Sequence, residues 1–289
     1  MEQLFCSIQH KGVPALKIVT TTSVFPPCCP TEKAMERLAA IGFDALDLAI
    51  DNCVQQADFP YMTPGWRDWA KRLHEKAEKL GVSWTHSHSC GDASATDDAS
   101  FRVFETCSIL HIPYTVIHPV FAGKNGVYES EDEFLSVNIP LIRRLLPYAE
   151  QYGVTILSEN LLWGASARPE VISRLVKEVN SSLFGWCFDT GHANCFGIPP
   201  GILNGLESIP LSLHMQDNHG SLRDEHLIPG DGCINWKELL DTLRAVGYGG
   251  DLVLEAHHQS LEAEDDARED ILRELLTRTG KMRDYLNKR

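Results

Sequence analysis

Val154-Thr155-Ile156-Leu157-Ser158-Glu159-Asn160 is an apolar run closed by a carboxylate. The same design returns in Phe184-Gly185-Trp186-Cys187-Phe188-Asp189, in Leu211-Ser212-Leu213-His214 and in Leu252-Val253-Leu254-Glu255. Short apolar runs of this kind suit strands buried on both faces of a parallel sheet. Each terminal residue alone could as readily cap a helix or pair with an arginine. Four of them, separated by helix-length segments, describe one ring of ligands at the mouth of a barrel. Hard oxygen donors with one imidazole suit a divalent cation such as Mn²⁺, Co²⁺, Mg²⁺ or Zn²⁺.

Working outward, amphipathic segments fill the intervals. Residues 131–152 read as a helix closed by Gly153, followed by helices at 168–179 and 236–246, a weak one at 200–206, and a last one at 267–286. Upstream, strands are expected at 16–24, 45–50, 82–89 and 114–118. Helices are expected at 31–41, with Thr31 as N-cap, at 64–80 ending on Gly81, and at 98–110. Eight strand–helix units without a Pro/Gly/Ser-rich linker predict an α/β fold, a closed (β/α)8 TIM barrel, as a single domain over 1–289. Residues 1–15 have no place in that pattern and read as an N-terminal extension. An open doubly wound sheet is the alternative, disfavoured because no Gly-x-Gly-x-x-Gly turn follows the first strand.

Bulk properties narrow the function classes. The 289 residues are 43% hydrophobic, enough for a sizeable core, and no run approaches the roughly 18 apolar residues of a membrane span. The start, Met1-Glu2-Gln3-Leu4-Phe5-Cys6, lacks the basic and apolar regions of a signal peptide. Nine scattered cysteines with no Cys-x-x-Cys pair fit packing roles in a reducing cytoplasm, not a disulfide framework. A net charge of −14 argues against broad nucleic-acid binding, which depends on Lys and Arg.

More candidates lie at the same end of the barrel. His88 and His118 end strands three and four, and His192 follows Asp189 by three residues. Asp224 and His226 form an Asp-x-His in the loop after strand seven, beside Arg223. His86 shares a strand face with His88 but sits deeper and reads as a packed histidine. His10, His74, His111, His257 and His258 read as solvated. Phe25, Trp66, Trp163 and Phe196 are aromatics near strand ends that could shape a pocket.

Four strings carry a resemblance: Asp189-Thr-Gly-His-Ala-Asn194, His214-Met-Gln-Asp-Asn218, Asp224-Glu-His-Leu-Ile-Pro-Gly-Asp-Gly-Cys-Ile-Asn-Trp236 and Gly247-Tyr-Gly-Gly-Asp-Leu-Val-Leu-Glu255. They resemble the xylose-isomerase-like TIM-barrel superfamily, which includes sugar isomerases and epimerases, hydroxypyruvate isomerases, inosose dehydratases and endonuclease-IV-type apurinic-site nucleases. In the epimerase branch the resemblance implies that Glu159, Asp189, His214 and Glu255 hold one divalent metal. Glu159 and Glu255 would also move protons on opposite faces of the substrate, and His192, with Arg223 second to it, would bind substrate. The implied partner is a small sugar or polyol, and relatives often pair into homo-oligomers. Ketohexose epimerases carry a further substrate-binding Glu shortly after the strand-five Glu, where this chain has Trp163-Gly164-Ala165-Ser166.

In the nuclease branch nine ligands hold three zinc ions. Here His88, His118, Glu159, Asp189, His192, His214, Asp224, His226 and Glu255 supply a residue of the right type for each. The apolar Leu227-Ile228-Pro229 segment and the lack of basic, aromatic-interleaved loops favour the sugar-active branch. A binding protein on an enzyme scaffold is the third reading, disfavoured by retention of both proton-transfer carboxylates.

Overall fold

Eight parallel strands close into a barrel, each paired with its neighbours in the chain and the last with the first, in the computed structural model, which describes residues 16–51 and 58–288. The strands are β1 Ile18–Thr21, β2 Ala45–Ala49, β3 Ser83–Asp92, β4 Tyr114–His118, β5 Thr155–Glu159, β6 Phe184–Asp189, β7 Ser212–Met215 and β8 Leu252–Leu254. Helices α1 Thr31–Ile41, α2 Trp66–Leu80, α3 Asp98–Leu110, α4 Glu131–Tyr152, α5 Pro169–Val179, α6 Thr190–Cys195, α7 Trp236–Ala245, α8 His258–Glu262 and α9 Asp265–Asn287 follow them. The expected (β/α)8 barrel is the observed one. The proposed extension at 1–15 and His10 lie outside the described residues. No helix among the described residues is long and apolar enough to cross a membrane.

The main core lies between strands and helices. Leu46, Leu48, Ile156, Phe188, Leu213 and Leu254 point outward from the barrel against Met35, Leu38, Trp69, Leu145, Leu175 and Leu239 of the helical layer. Burying each such side chain contributes roughly 1.5–3 kcal/mol. Inside the barrel, Val19, Ala45 and Val253 make one small apolar cluster, and Val116, Leu157 and Cys187 another. They floor the cavity, so chemistry is confined to the rim where strands hand over to loops.

Several boundaries differ from expectation for local reasons. The first strand ends at Thr21 because the Thr21 hydroxyl accepts from Ser23 N at 3.3 Å and turns the chain into a 3-10 helix over Thr22–Val24. Thr31 is the first helical residue instead of the N-cap, since the Pro30 carbonyl already accepts from Lys33 and Ala34. The weak helix is a 3-10 segment, Pro200–Gly205. Gly81 and Gly153 do close α2 and α4, at φ of 70° and 68°, the left-handed region where a Cβ is unfavourable.

Candidate metal centre and active site

β5, β6, β7 and β8 bring Glu159, Asp189, His214 and Glu255 to one point. Each offers a ligand atom, and all four atoms lie within 4.8 Å of one another. Glu159 and Asp189 are the last residues of their strands, His214 the last but one, and Glu255 the first residue beyond β8. Glu159, Asp189 and His214 are buried, and the Glu255 side chain is 15% exposed. His214 Nδ1 stands 2.9 Å from Glu159 Oε1 and 3.3 Å from Glu255 Oε1, so both carboxylates meet at one ring nitrogen.

Asp189 joins the structural and the chemical reading. Its Oδ1 accepts from His192 N at 2.6 Å and so caps α6. Its Oδ2 is buried with no hydrogen-bond partner among the described residues. A buried carboxylate oxygen left in this way calls for a cation or a proton. Three carboxylates and an imidazole around it fit a divalent metal.

The other sequence candidates pack around that core. His118 Nε2 is 3.1 Å and His88 Nε2 3.6 Å from Glu159 Oε2, while His88 Nδ1 faces Asp51 Oδ1 at 3.7 Å. His88, Glu159 and His214 form a second group close enough to hold an ion. On the far side Asp224 Oδ2 bridges His192 Nε2 at 3.2 Å and His226 Nε2 at 2.7 Å. His226 takes φ of 46°, a left-handed conformation unusual outside glycine, and is held there by Asp224 and by the Glu255 carbonyl 2.9 Å from its Nδ1. The nine residues therefore form one connected set. Arg223 stays outside it: its side chain is exposed, and its carbonyl accepts from Cys195 Sγ.

Charge balance explains the titration behaviour. Burial pushes Glu159 up, but His214, His118 and His88 outweigh it and hold the carboxyl well below its ordinary value. Glu255 is lowered in the same way, its burial outweighed by His214. Asp189 is raised to about 7 by burial, which His192 opposes and the neighbouring Glu159, Asp224 and Glu255 reinforce. The imidazoles move upward against their own burial. His88 reaches about 10 through Asp51, Glu159 and Glu255, His226 about 9 through Asp224, and His192 and His214 rise well above the usual histidine range.

Sequence reasoning missed three contributors. Asp47, inside Ala45–Ala49, is 1% exposed, with Oδ2 unpartnered among the described residues, and is raised to about 7 chiefly by burial. Asp217 is fully buried and accepts from Gly230 N at 2.8 Å, Ile234 N at 3.2 Å and Trp236 Nε1 at 2.7 Å. These bonds cinch the loop that carries Asp224 and His226, and they explain the spacing of its Pro229-Gly-Asp-Gly-Cys-Ile-Asn-Trp236 string. The third is Gln216, which follows β7 directly. Among the pocket aromatics, Phe25 and Trp66 are core residues. Trp163 and Phe196 are exposed, and Trp163 stacks on Phe121 at 4.4 Å between ring centroids. His257, expected to be solvated, is half-buried with its ring 4.2 Å from that of His226.

Comparison with known proteins agrees with this architecture. The chain is 29% identical over 267 residues to an uncharacterized protein of Methanocaldococcus jannaschii, covering 86% of each. It is 28% identical over 169 residues to an inosose isomerase of Halalkalibacterium halodurans, covering 53% of this chain and 56% of the relative. Among solved structures, a D-tagatose 3-epimerase-like protein superposes with a TM-score of 0.70 at 24% identity, covering 92% of this chain and 99% of that one. The IOLI protein with a binding zinc atom superposes with a TM-score of 0.72 at 18% identity, covering 94% and 99%. At such identities the structural likeness is one of fold. A family profile described as xylose isomerase-like TIM barrel matches residues 35–276, and the chain belongs to that family.

Proposed function

We propose that this protein is a divalent-metal-dependent isomerase or epimerase that acts on a sugar, a sugar phosphate or a related polyol through an enediolate. The observation that carries the reading is the four-residue cluster with its buried, unpartnered Asp189 Oδ2. The partial match to an inosose isomerase supports the substrate class.

Glu159, Asp189, His214 and Glu255 would hold the cation, with Mn²⁺, Co²⁺, Mg²⁺ and Zn²⁺ all compatible with the donor set. The cation supplies Lewis-acid stabilisation of negative charge on neighbouring substrate oxygens. The protein's own residues move the protons. Glu159 and Glu255 are both held ionised, so either can take a proton from a carbon beside a carbonyl. The other, protonated by exchange with solvent, returns one to the opposite face. His192, with Nδ1 2.8 Å from the Asn160 carbonyl and Nε2 3.2 Å from Asp224 Oδ2, would share Nε2 with a substrate oxygen, and Arg223 would serve a secondary role at the rim. The single-domain organisation and a cytoplasmic location belong to the same proposal.

The test is deuterium uptake from solvent, followed by NMR across ketoses, aldoses, inososes and hydroxypyruvate. Glu255→Gln is expected to reduce uptake at least about 100-fold. Undiminished exchange would reject the acid/base role.

A second reading, an endonuclease-IV-type nuclease with three zinc ions, is favoured by one observation. His88, His118, Asp224 and His226 close around the same cluster instead of scattering over the rim. Elemental analysis of purified protein separates the two readings. About one metal per chain supports the isomerase, whereas about three zinc ions with cleavage of an abasic duplex would establish the nuclease.

A further inference from the structure

We infer that Gln216 is a positioning residue, seated on the bare backbone of Gly191, that fixes which oxygen of Asp189 faces the cluster and ties Asp189 to Asp224. The Gln216 side chain is fully buried. Its Nε2 donates to Asp224 Oδ1 in a short hydrogen bond and to Asp189 Oδ1 at 3.4 Å. Carboxylates only accept when ionised, so the amide can be oriented one way alone, with NH₂ toward both of them. Its Oε1 has no partner among the described residues, which costs stability and marks the donation as the feature being kept.

Gly191 makes the seat. A Cβ there would overlap the Gln216 amide, so no other residue at 191 leaves room for it. The backbone is locked from both sides as well. Thr190 Oγ1 donates to Gln216 O at 2.7 Å and accepts from Gln216 N at 3.1 Å. The amide thus stands where two carboxylates approach, and it bridges them without adding charge. With the His192 N–H it occupies Asp189 Oδ1, which leaves Oδ2, buried and without a hydrogen-bond partner among the described residues, as the oxygen free to serve the cluster. Through Asp224 it also sets the carboxylate that holds His192 and His226. One neutral side chain therefore couples the two halves of the site.

The consequence for metal affinity rests on the function proposed above, whereas the clamp itself does not, so two measurements separate them. In metal-free wild-type protein, the Gln216 side-chain amide protons are expected to be shifted downfield and protected from solvent exchange by NMR. Gly191→Ala, which touches none of the carboxylates, is expected to abolish that protection. Calorimetric titration of chelator-stripped protein with Mn²⁺ gives the second readout. Gln216→Leu is expected to weaken binding roughly 10- to 100-fold. A rapidly exchanging amide overturns the clamp. So does a folded Gln216→Leu variant with wild-type affinity. A protected amide in a protein that takes no metal upholds the clamp and removes the metal-dependent function.

Discussion

His86 and His88 share one face of β3, two residues apart, at 1% and 7% exposure, yet they are driven in opposite directions. His86 lies on the barrel floor, with Nε2 3.0 Å from Ser212 Oγ, Nδ1 3.0 Å from Thr85 Oγ1 and its ring stacked on Tyr114. Burial pushes it down to about 3, helped by the positive fields of His214 and Lys17, and it stays neutral. His88, one layer higher, faces Asp51 and Glu159 and is raised to about 10. Desolvation is common to both. The carboxylate ring decides the difference, and it marks the rim as the place built for charge.

Removing the centre of that ring should break the contrast most strongly. Glu159 is approached by His88, His118 and His214, so Glu159→Gln takes away the proposed ligand and proton carrier and the carboxylate that these three imidazoles share. Solvent-deuterium exchange into substrate is expected to fall by roughly 10²–10⁴. The His88 ring, titrated by NMR in metal-free protein, is expected to move from about 10 toward an ordinary histidine value while His86 stays neutral. A His88 that keeps its elevated value would place the origin of the shift in Asp51 and Glu255.

The same contrast predicts an asymmetric pH profile of stability. His88 and His226 are raised to about 10 and about 9, so their contribution is complete below the unfolded value of 6.5 and is lost as pH rises through those two values. Asp47 and Asp189, raised to about 7, act in the same direction between their unfolded 3.8 and about 7. Glu159, Glu255 and Asp224 are lowered, and their contribution is lost only in acid, as pH falls through their folded values. The Tm of chelator-treated protein is therefore expected to decline between about pH 7 and 10. Saturating divalent metal should flatten the decline, because a cation replaces the charge that the departing protons carried. A metal-free Tm that is level across this range would contradict the protonated-imidazole account.

What the sequence disclosed follows the same division. Glu159, Asp189, His214 and Glu255 were legible because each terminates an apolar strand, and the barrel alternation then places them at one rim. Asp47 was not, although Ala45, Asp47 and Ala49 alternate onto one face, because a carboxylate inside a strand looks like a break in it. Gln216 lies inside the His214–Asn218 string, but its role stayed hidden because it depends on a glycine 25 positions upstream that only the folded chain sets beneath it. α6 and α8 are too short to show a helical period. The hairpin Ala122–Gly123 with Gly126–Val127 did have a signal, Asn125-Gly126, the dipeptide favoured in tight turns. Thr31 failed as a cap because the preceding proline carbonyl had already started the helix.

The floor offers the smallest effect and the control for all the others. Ser212→Ala removes the hydroxyl 3.0 Å from His86 Nε2 and leaves a buried ring nitrogen without that partner. An unsatisfied buried group of this kind costs roughly 1–3 kcal/mol. At about 2–4 °C per kcal/mol for a chain of this size, Tm is expected to drop by several degrees. His86 makes no hydrogen bond to a rim carboxylate, so metal affinity and deuterium exchange are expected to stay within about twofold of wild type. Loss of exchange in a folded Ser212→Ala protein would show that the floor transmits to the rim. The separation between a neutral packed layer and a charged rim would then have to be abandoned.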